Sequence, residues 1–212
     1  VATSWLAREN AATLLMIGAG ALARTQIEAV CAVRPIRQIT VASATGRRDA
    51  DLCCWVREHL HIEAAPAHNL QKAVATADII CTATNSAQPL FDGAWIQPGT
   101  HLNLVGAYTR HLREVDSNAI ARSRVIVDLL EAARSEAGDI VQAAQELGVA
   151  SESLIAGELG AVIAGALPAR TTAHEITLFK SVGIAMQDVV CAARVYRSAR
   201  AQAVGTQVDL TL

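Results

Sequence analysis

The run LLMIGAGALARTQIEAV, Leu14 to Val30, constrains this chain more than any other stretch. Leu14-Leu15-Met16-Ile17 reads as a strand buried on both faces. Gly18 and Gly20 read as a tight turn, and Ala23 takes a third small-residue slot in a helix carried onward by Gln26 to Val33. This is the dinucleotide fingerprint G-x-G-x-x-A. The first glycine permits the turn, the second lets backbone amides approach a diphosphate, and the third small residue lets helix pack on strand. The helix start then offers unpaired N–H groups and the positive end of its dipole to phosphate, with Ala21 and Leu22 in the same cradle. The bland alternative is a glycine turn that only packs helix on strand. The apolar strand before it and the helix after it favour the nucleotide reading.

Strand and helix signals then alternate. Ile36 to Val41, Ile62 to Ala65, Asp78 to Thr82, His101 to Val105 and Arg124 to Asp128 read as strands. Asp49 to Leu60, Leu70 to Ala77 and Ala137 to Leu147 have helical spacing. Such order predicts an α/β fold, a doubly wound parallel sheet with helices on both faces and ligands beyond the carboxyl ends of the strands. Beyond that region, Leu154 to Ile163 reads as a helix, Ile176 to Phe179 as a strand and Val182 to Val204 as one long helix. The expected division is a dinucleotide-binding domain over residues 10–150, with 1–9 and 151–212 forming the remnant of a substrate and dimerisation domain.

The strand ends nominate the cofactor residues. After the second strand, Val41-Ala42-Ser43-Ala44-Thr45-Gly46-Arg47-Arg48 holds no carboxylate before Asp49. An acid there would bind ribose hydroxyls, whereas hydroxyls with arginines suit a 2′-phosphate. Ser43, Thr45 and Arg47 or Arg48 therefore favour NADP(H) over NAD(H). The alternative is that both arginines solvate the start of the next helix. Thr82, Ala83, Thr84 and Ser86 offer short side chains beside a ribose, or else are ordinary turn residues. Val105 and Gly106 leave room for a nicotinamide ring. Lys180 and Ser181 close a strand, Ser181 with an amide for the carboxamide and Lys180 as a candidate proton donor or a structural lysine.

Composition narrows the partners. The chain is 52% hydrophobic, 18% charged and 3% aromatic, with a formal net charge of −2 and no basic block, which disfavours nucleic acid. Its apolar runs are strand-sized, so no membrane span is expected, and no basic-then-apolar leader opens it. Five cysteines without framework spacing read as reduced thiols in the cytoplasm, with Cys31, Cys81 and Cys191 in the core. Cys53-Cys54 diverge on a helix, and His59-x-His61 straddles a helix end without a third ligand. Asp128, Glu131 and Glu136 read as caps and surface charge, and Asp139 as a first-turn acid, so no metal site is expected.

IGAGALARTQ (Ile17 to Gln26), ADIICTATNSAQPLFDGAWIQPGTHLNLVGAY (Ala77 to Tyr108), REVD (Arg113 to Asp116), VIVDLLEAARSEAGDI (Val125 to Ile140), GELGAVIAG (Gly157 to Gly165) and TLFKSVGIAMQD (Thr177 to Asp188) together resemble the ornithine cyclodeaminase/mu-crystallin family. The resemblance implies a homodimeric, NAD(P)-dependent enzyme that transfers hydride at the α-carbon of a small imino or amino acid. Where the cyclodeaminases carry a catalytic aspartate two residues after the strand-end glycine, this chain has Tyr108. Without that base, ornithine cyclisation is disfavoured, and reduction of a pyrroline-2-carboxylate or ketimine substrate is expected, with Tyr108 lining the pocket as a candidate catalytic residue beside Lys180. Leu22 stands where many relatives have glutamine. The resemblance also implies a preceding segment that holds the substrate carboxylate and builds the dimer. The alternatives are a catalytically silent NADP-binding protein or an ornithine cyclodeaminase converting L-ornithine to L-proline and ammonia, and the expected assembly is a homodimer or association with such a segment.

Overall fold

The computed structural model describes residues 1–208. It divides into two compact units, Val1–Val182 and Gly183–Leu212. The first holds an eight-stranded sheet in the order β3-β2-β1-β4-β5-β8-β6-β7, every neighbouring pair parallel. Its strands are β1 (Thr13–Ile17), β2 (Gln38–Ala42), β3 (Glu63–Pro66), β4 (Ile79–Thr82), β5 (His101–Leu104), β6 (Ser123–Val127), β7 (Gly157–Glu158) and β8 (Ile176–Lys180). The helices are α1 (Ala2–Leu6), α2 (Ala21–Cys31), α3 (Asp49–Leu60), α4 (Leu70–Thr76), α5 (Ser117–Arg122), α6 (Leu130–Glu136), α7 (Gly138–Leu147) and α8 (Leu159–Ile163). This is the expected doubly wound α/β fold.

Alternation along each strand builds the two layers, because successive side chains leave opposite faces of a sheet. Leu14, Met16, Ile79 and Cys81 join Ala23, Ile27 and Val30 of α2 and Leu52, Cys53 and Val56 of α3. Leu15, Ile17 and Ile80 go the other way, against Ala73 and Val74 of α4, Ala119 and Ile120 of α5 and Ile140 and Ala143 of α7. Because β1 runs between β2 and β4, the chain's connections leave it in opposite directions. A crevice opens at the β1/β4 switch point beyond the strand ends.

Strands β7 and β8 come from beyond residue 150, so the sheet extends past the boundary read from the sequence. The stretch expected as one helix, Leu154 to Ile163, is a 3-10 turn (Ser151–Leu154), then β7, then α8. Gly157 at φ +155° interrupts helical backbone there. The second unit carries α9 (Ala185–Ala201), shorter than the expected Val182–Val204, with no buried residue. Cys191 on it is exposed, contrary to a core role.

A buried polar chain ties α1 to the sheet. His101 lies 3.0 Å from Thr177 Oγ1 and 3.2 Å from Asn103 Oδ1. Asn103 donates to Thr3 Oγ1 at 3.0 Å, and Thr177 donates to Leu6 O at 3.0 Å. Burial drives the imidazole pKa from 6.5 down to about 3. Above pH 6.5 the ring is neutral whether folded or not. Below it the unfolded chain takes up a proton that the folded chain refuses until about pH 3, so stability falls as pH falls through that window. The expected slope is up to about 1.4 kcal/mol per pH unit. Urea midpoints at pH 6.5 and 5 should reveal this loss in the natural chain and little of it in a His101→Gln variant. Equal slopes in the two would show that another group titrates there.

Candidate functional site

At the end of β1, Gly18 turns with φ +109°. Its amide donates to Ala42 O at 2.8 Å, while Ala83 N donates to Ile17 O at 3.0 Å. A Cβ on Gly18 would stand 2.6 Å from Ala83 O. Glycine is thus required twice, by the backbone and by the neighbouring strand's carbonyl. Gly20 differs. It is the extended N-cap of α2, with no side-chain hydrogen bond to the first helical amides, and a Cβ on it would meet nothing within 4 Å. The open space lies directly before an uncapped helix start, the arrangement that accepts an anion. Ala21 and Leu22 are exposed there and Ala23 is buried against β1, as the fingerprint requires.

Beyond β2 the polar side chains are disposed differently from expectation. The Ser43 hydroxyl donates to Asp49 Oδ1, and the Ser43 amide donates to Asp49 Oδ2 at 3.1 Å. A serine so committed is a strut for the start of α3 and not a free hydroxyl for a ribose phosphate. The reason is that Asp49 folds back from α3 and is buried. Thr45 and Arg47 are exposed. A cleft of about 190 Å³ is lined by Ala19, Gly20, Arg24, Arg48, Asp51 and Leu52. Arg24 also lies over the Trp55 ring, 5.2 Å from its centroid. Arg24 was invisible as a candidate because it follows the fingerprint by one position. The helix turn brings it back beside Gly20.

At the ends of β4 and β5, one carboxylate organises two loops. Glu114 is completely buried. Its Oε1 accepts from Thr84 N at 2.7 Å and from Thr84 Oγ1 at 2.9 Å. Its Oε2 accepts from Gly106 N at 2.9 Å and from Ala107 N at 3.3 Å. Thr82 is itself fully buried, and its hydroxyl has no hydrogen-bond partner among the described residues. Ala83, Thr84, Ser86 and Val105 are partly exposed. Ser86 Oγ is spent on Gln88 O at 2.7 Å. The REVD segment, read from the sequence only as a resemblance, proves to be an anchor throughout. Arg113 grips Glu146 and Val115 O, and Asp116 caps α5 through Ala119 N at 2.8 Å. Alternating charges in a short loop between strand and helix are the signal that was available.

Lys180 requires a correction. It has no solvent exposure, and its Nζ lies 2.8 Å from Asp139 Oδ2, also unexposed. A side chain enclosed on every side is not a proton donor to substrate; its position in the sheet between β5 and β6 buries it. Asp139 is the expected acid in the first turn of α7, and it is buried there, its Oδ1 accepting from Glu114 N at 2.6 Å and Val115 N at 2.9 Å. Asp128 holds Ser181 Oγ at 2.8 Å and Val182 N at 3.0 Å. The Ser181 amide donates to Leu104 O at 3.1 Å. Both Ser181 donors are thus occupied, at odds with an amide aimed at a carboxamide. Tyr108, by contrast, is 55% exposed just beyond β5. Among the described residues no three His, Cys, Asp or Glu side chains gather as metal ligands, and no helix is long and apolar enough to cross a membrane.

A family model of ornithine cyclodeaminase/mu-crystallin proteins matches residues 1–203. The chain belongs to that family. It is similar to a Delta(1)-pyrroline-2-carboxylate reductase of Bacillus cereus, 38% identical over 210 residues, covering 99% of this chain and 64% of that protein. Among solved structures, it resembles the Thermococcus litoralis Delta(1)-pyrroline-2-carboxylate reductase in complex with NADH and L-proline. That match has 38% identity and a TM-score of 0.93, covering 98% of this chain and 64% of the other. An archaeal alanine dehydrogenase dimer with bound NAD is 30% identical with a TM-score of 0.91, over 99% of this chain and 64% of that one. The chain therefore spans somewhat less than two thirds of these family members' length.

Proposed function

We propose that this chain binds a nicotinamide dinucleotide, NADP(H) in preference to NAD(H), and serves the reduction of a small cyclic or linear imino acid of the pyrroline-2-carboxylate or ketimine type. The observation that carries the reading is the open space at Gly20 before an uncapped helix, placed at the β1/β4 switch point. The reductase relatives, one with NADH and L-proline bound, support both cofactor class and substrate class. The alanine dehydrogenase dimer supports assembly as a homodimer.

The bound coenzyme supplies a hydride for the imine carbon, and the imine nitrogen takes a proton. The residues present suit such a molecule. Backbone amides from Gly20 to Leu22 would hold its diphosphate, and the loops around Thr84, Val105 and Gly106 would hold its nicotinamide end. Tyr108 stands on the substrate side. Enclosure of Lys180 removes one of the two expected catalytic residues and leaves only the exposed Tyr108 phenol of this set as a proton donor. That favours a second reading, in which the chain binds coenzyme without turnover. Titrating NADPH by its fluorescence and then assaying pyrroline-2-carboxylate reduction separates the two, and failure to bind either NADPH or NADH sinks both.

For coenzyme choice, Arg24 and Arg48 set two guanidiniums against the single carboxylate of Asp51, a balance that suits a 2′-phosphate. NADPH should bind about tenfold or more tightly than NADH, in keeping with roughly 1.5–3 kcal/mol for a hydrogen bond to a charged group. The Arg24→Ala/Arg48→Ala double variant should bring the two within about threefold. A natural chain that prefers NADH would mean that Asp51 reads the ribose hydroxyls.

A further inference from the structure

We infer that Glu114 is a positioning residue for the nicotinamide end of the crevice, a buried strut that fixes the spacing between the loops after β4 and β5. The inference rests on the coenzyme reading above and assigns a role to a residue remote from the glycine turn. Three observations carry it. First, the carboxylate receives four donors, two from Thr84 on the β4 loop and two from Gly106 and Ala107 on the β5 loop, at 2.7–3.3 Å. It therefore bridges two loops that have no strand pairing beyond Thr82↔Leu104. Charge-assisted bonds of this kind are about twice as strong as neutral ones and are directional.

Second, the spacing they set is tight. A Cβ on Gly106 would stand 2.1 Å from Thr84 O and 2.2 Å from Thr84 N. The two loops touch, and Glu114 clamps them at the point of contact. Third, the strut is itself held. Its amide and that of Val115 donate to Asp139 Oδ1, and the other oxygen of Asp139 pairs with Lys180 at the end of β8. One chain of buried charges thus links the carboxyl ends of the adjacent strands β4, β5 and β8. In a sheet of this winding, β1 and β2 take the adenosine side and the strands beyond the switch point take the other end of the dinucleotide. Glu114 is accordingly set to control the nicotinamide end while leaving the adenosine end alone.

The test is Glu114→Gln, which keeps size but turns an NH₂ toward donors in one of the two loops. NADPH affinity, read by fluorescence, should fall at least tenfold. Affinity for 2′-phospho-ADP-ribose, which lacks the nicotinamide, should stay within twofold of the natural chain. Loss of both affinities together would overturn the inference, because it would mean general destabilisation, and retention of both would overturn it as well. A natural chain that binds neither compound removes the coenzyme reading itself, and the strut then has nothing to position. An independent measurement covers a variant that does not fold. In the natural chain, free of coenzyme, the amides of Thr84, Gly106 and Ala107 should exchange with deuterium as slowly as strand amides of β4 and β5. Exchange at the rate of open loops would show that the clamp does not hold.

Discussion

Replacing Lys180 with methionine should cost the chain about 3–5 kcal/mol, the penalty for leaving one member of a buried ion pair alone. The geometry makes this a severe case, because both Lys180 and Asp139 are without solvent exposure and no water-facing route relieves the remaining carboxylate. Set against a typical total of about 5–15 kcal/mol, that loss brings the fold near its threshold. Asp139 must still accept from the Glu114 and Val115 amides. Adding Asp139→Asn, which removes the charge but keeps an acceptor oxygen, should therefore recover roughly half of the loss. The check is urea unfolding of the two single variants and the double variant, read as a double-mutant cycle. A Lys180→Met protein as stable as the natural chain would show that the ammonium contributes nothing there.

The second large effect separates the two glycines of the fingerprint. Gly18→Ala should destabilise the fold by roughly 2–4 kcal/mol, combining left-handed backbone strain with overpacking against a carbonyl. Both causes are visible in its φ of +109° and the 2.6 Å approach to Ala83 O. Gly20→Ala should leave thermal unfolding within about 2 °C, since alanine is compatible with its extended backbone and open surroundings. It should nevertheless weaken coenzyme binding about tenfold or more, because the methyl group occupies the space a diphosphate needs. Thermal denaturation and NADPH titration on both variants decide the matter. If Gly20→Ala binds as tightly as the natural chain, the diphosphate does not rest on this turn.

Much of the fold was legible because it rests on local periodicity. Leu14-Leu15-Met16-Ile17, followed by the glycine turn, reads as a strand buried on both faces, and the structure sends its alternate residues into two layers. Asp49–Leu60 reads as a helix and is one over the same residues. Short elements were harder. The stretch 154–163 has helical composition, yet it contributes an edge strand pairing Gly157 and Glu158 with Ile126 and Val127. Such a pairing depends on a strand some thirty residues earlier and leaves no local mark.

The site divides in the same way. Gly18, Gly20 and Ala23 were identifiable from the sequence because backbone geometry and close packing demand small residues at fixed spacing. The polar groups were not. Ser43 reads as free until Asp49 folds back onto it, and Lys180 reads as either a proton donor or a structural lysine until its pairing with Asp139 encloses it.

By itself, then, the sequence determined the longer strands and helices, the glycine turn and the parallel winding that follows from them, since each depends on residues close together in the chain. Only the tertiary structure decided which polar side chains remain open to a ligand and which are consumed as internal struts. Glu114 meets Thr84 across 30 residues, and such distant partnerships are set by which strand ends the sheet brings side by side. Once buried, these groups must find partners or pay the full cost of desolvation.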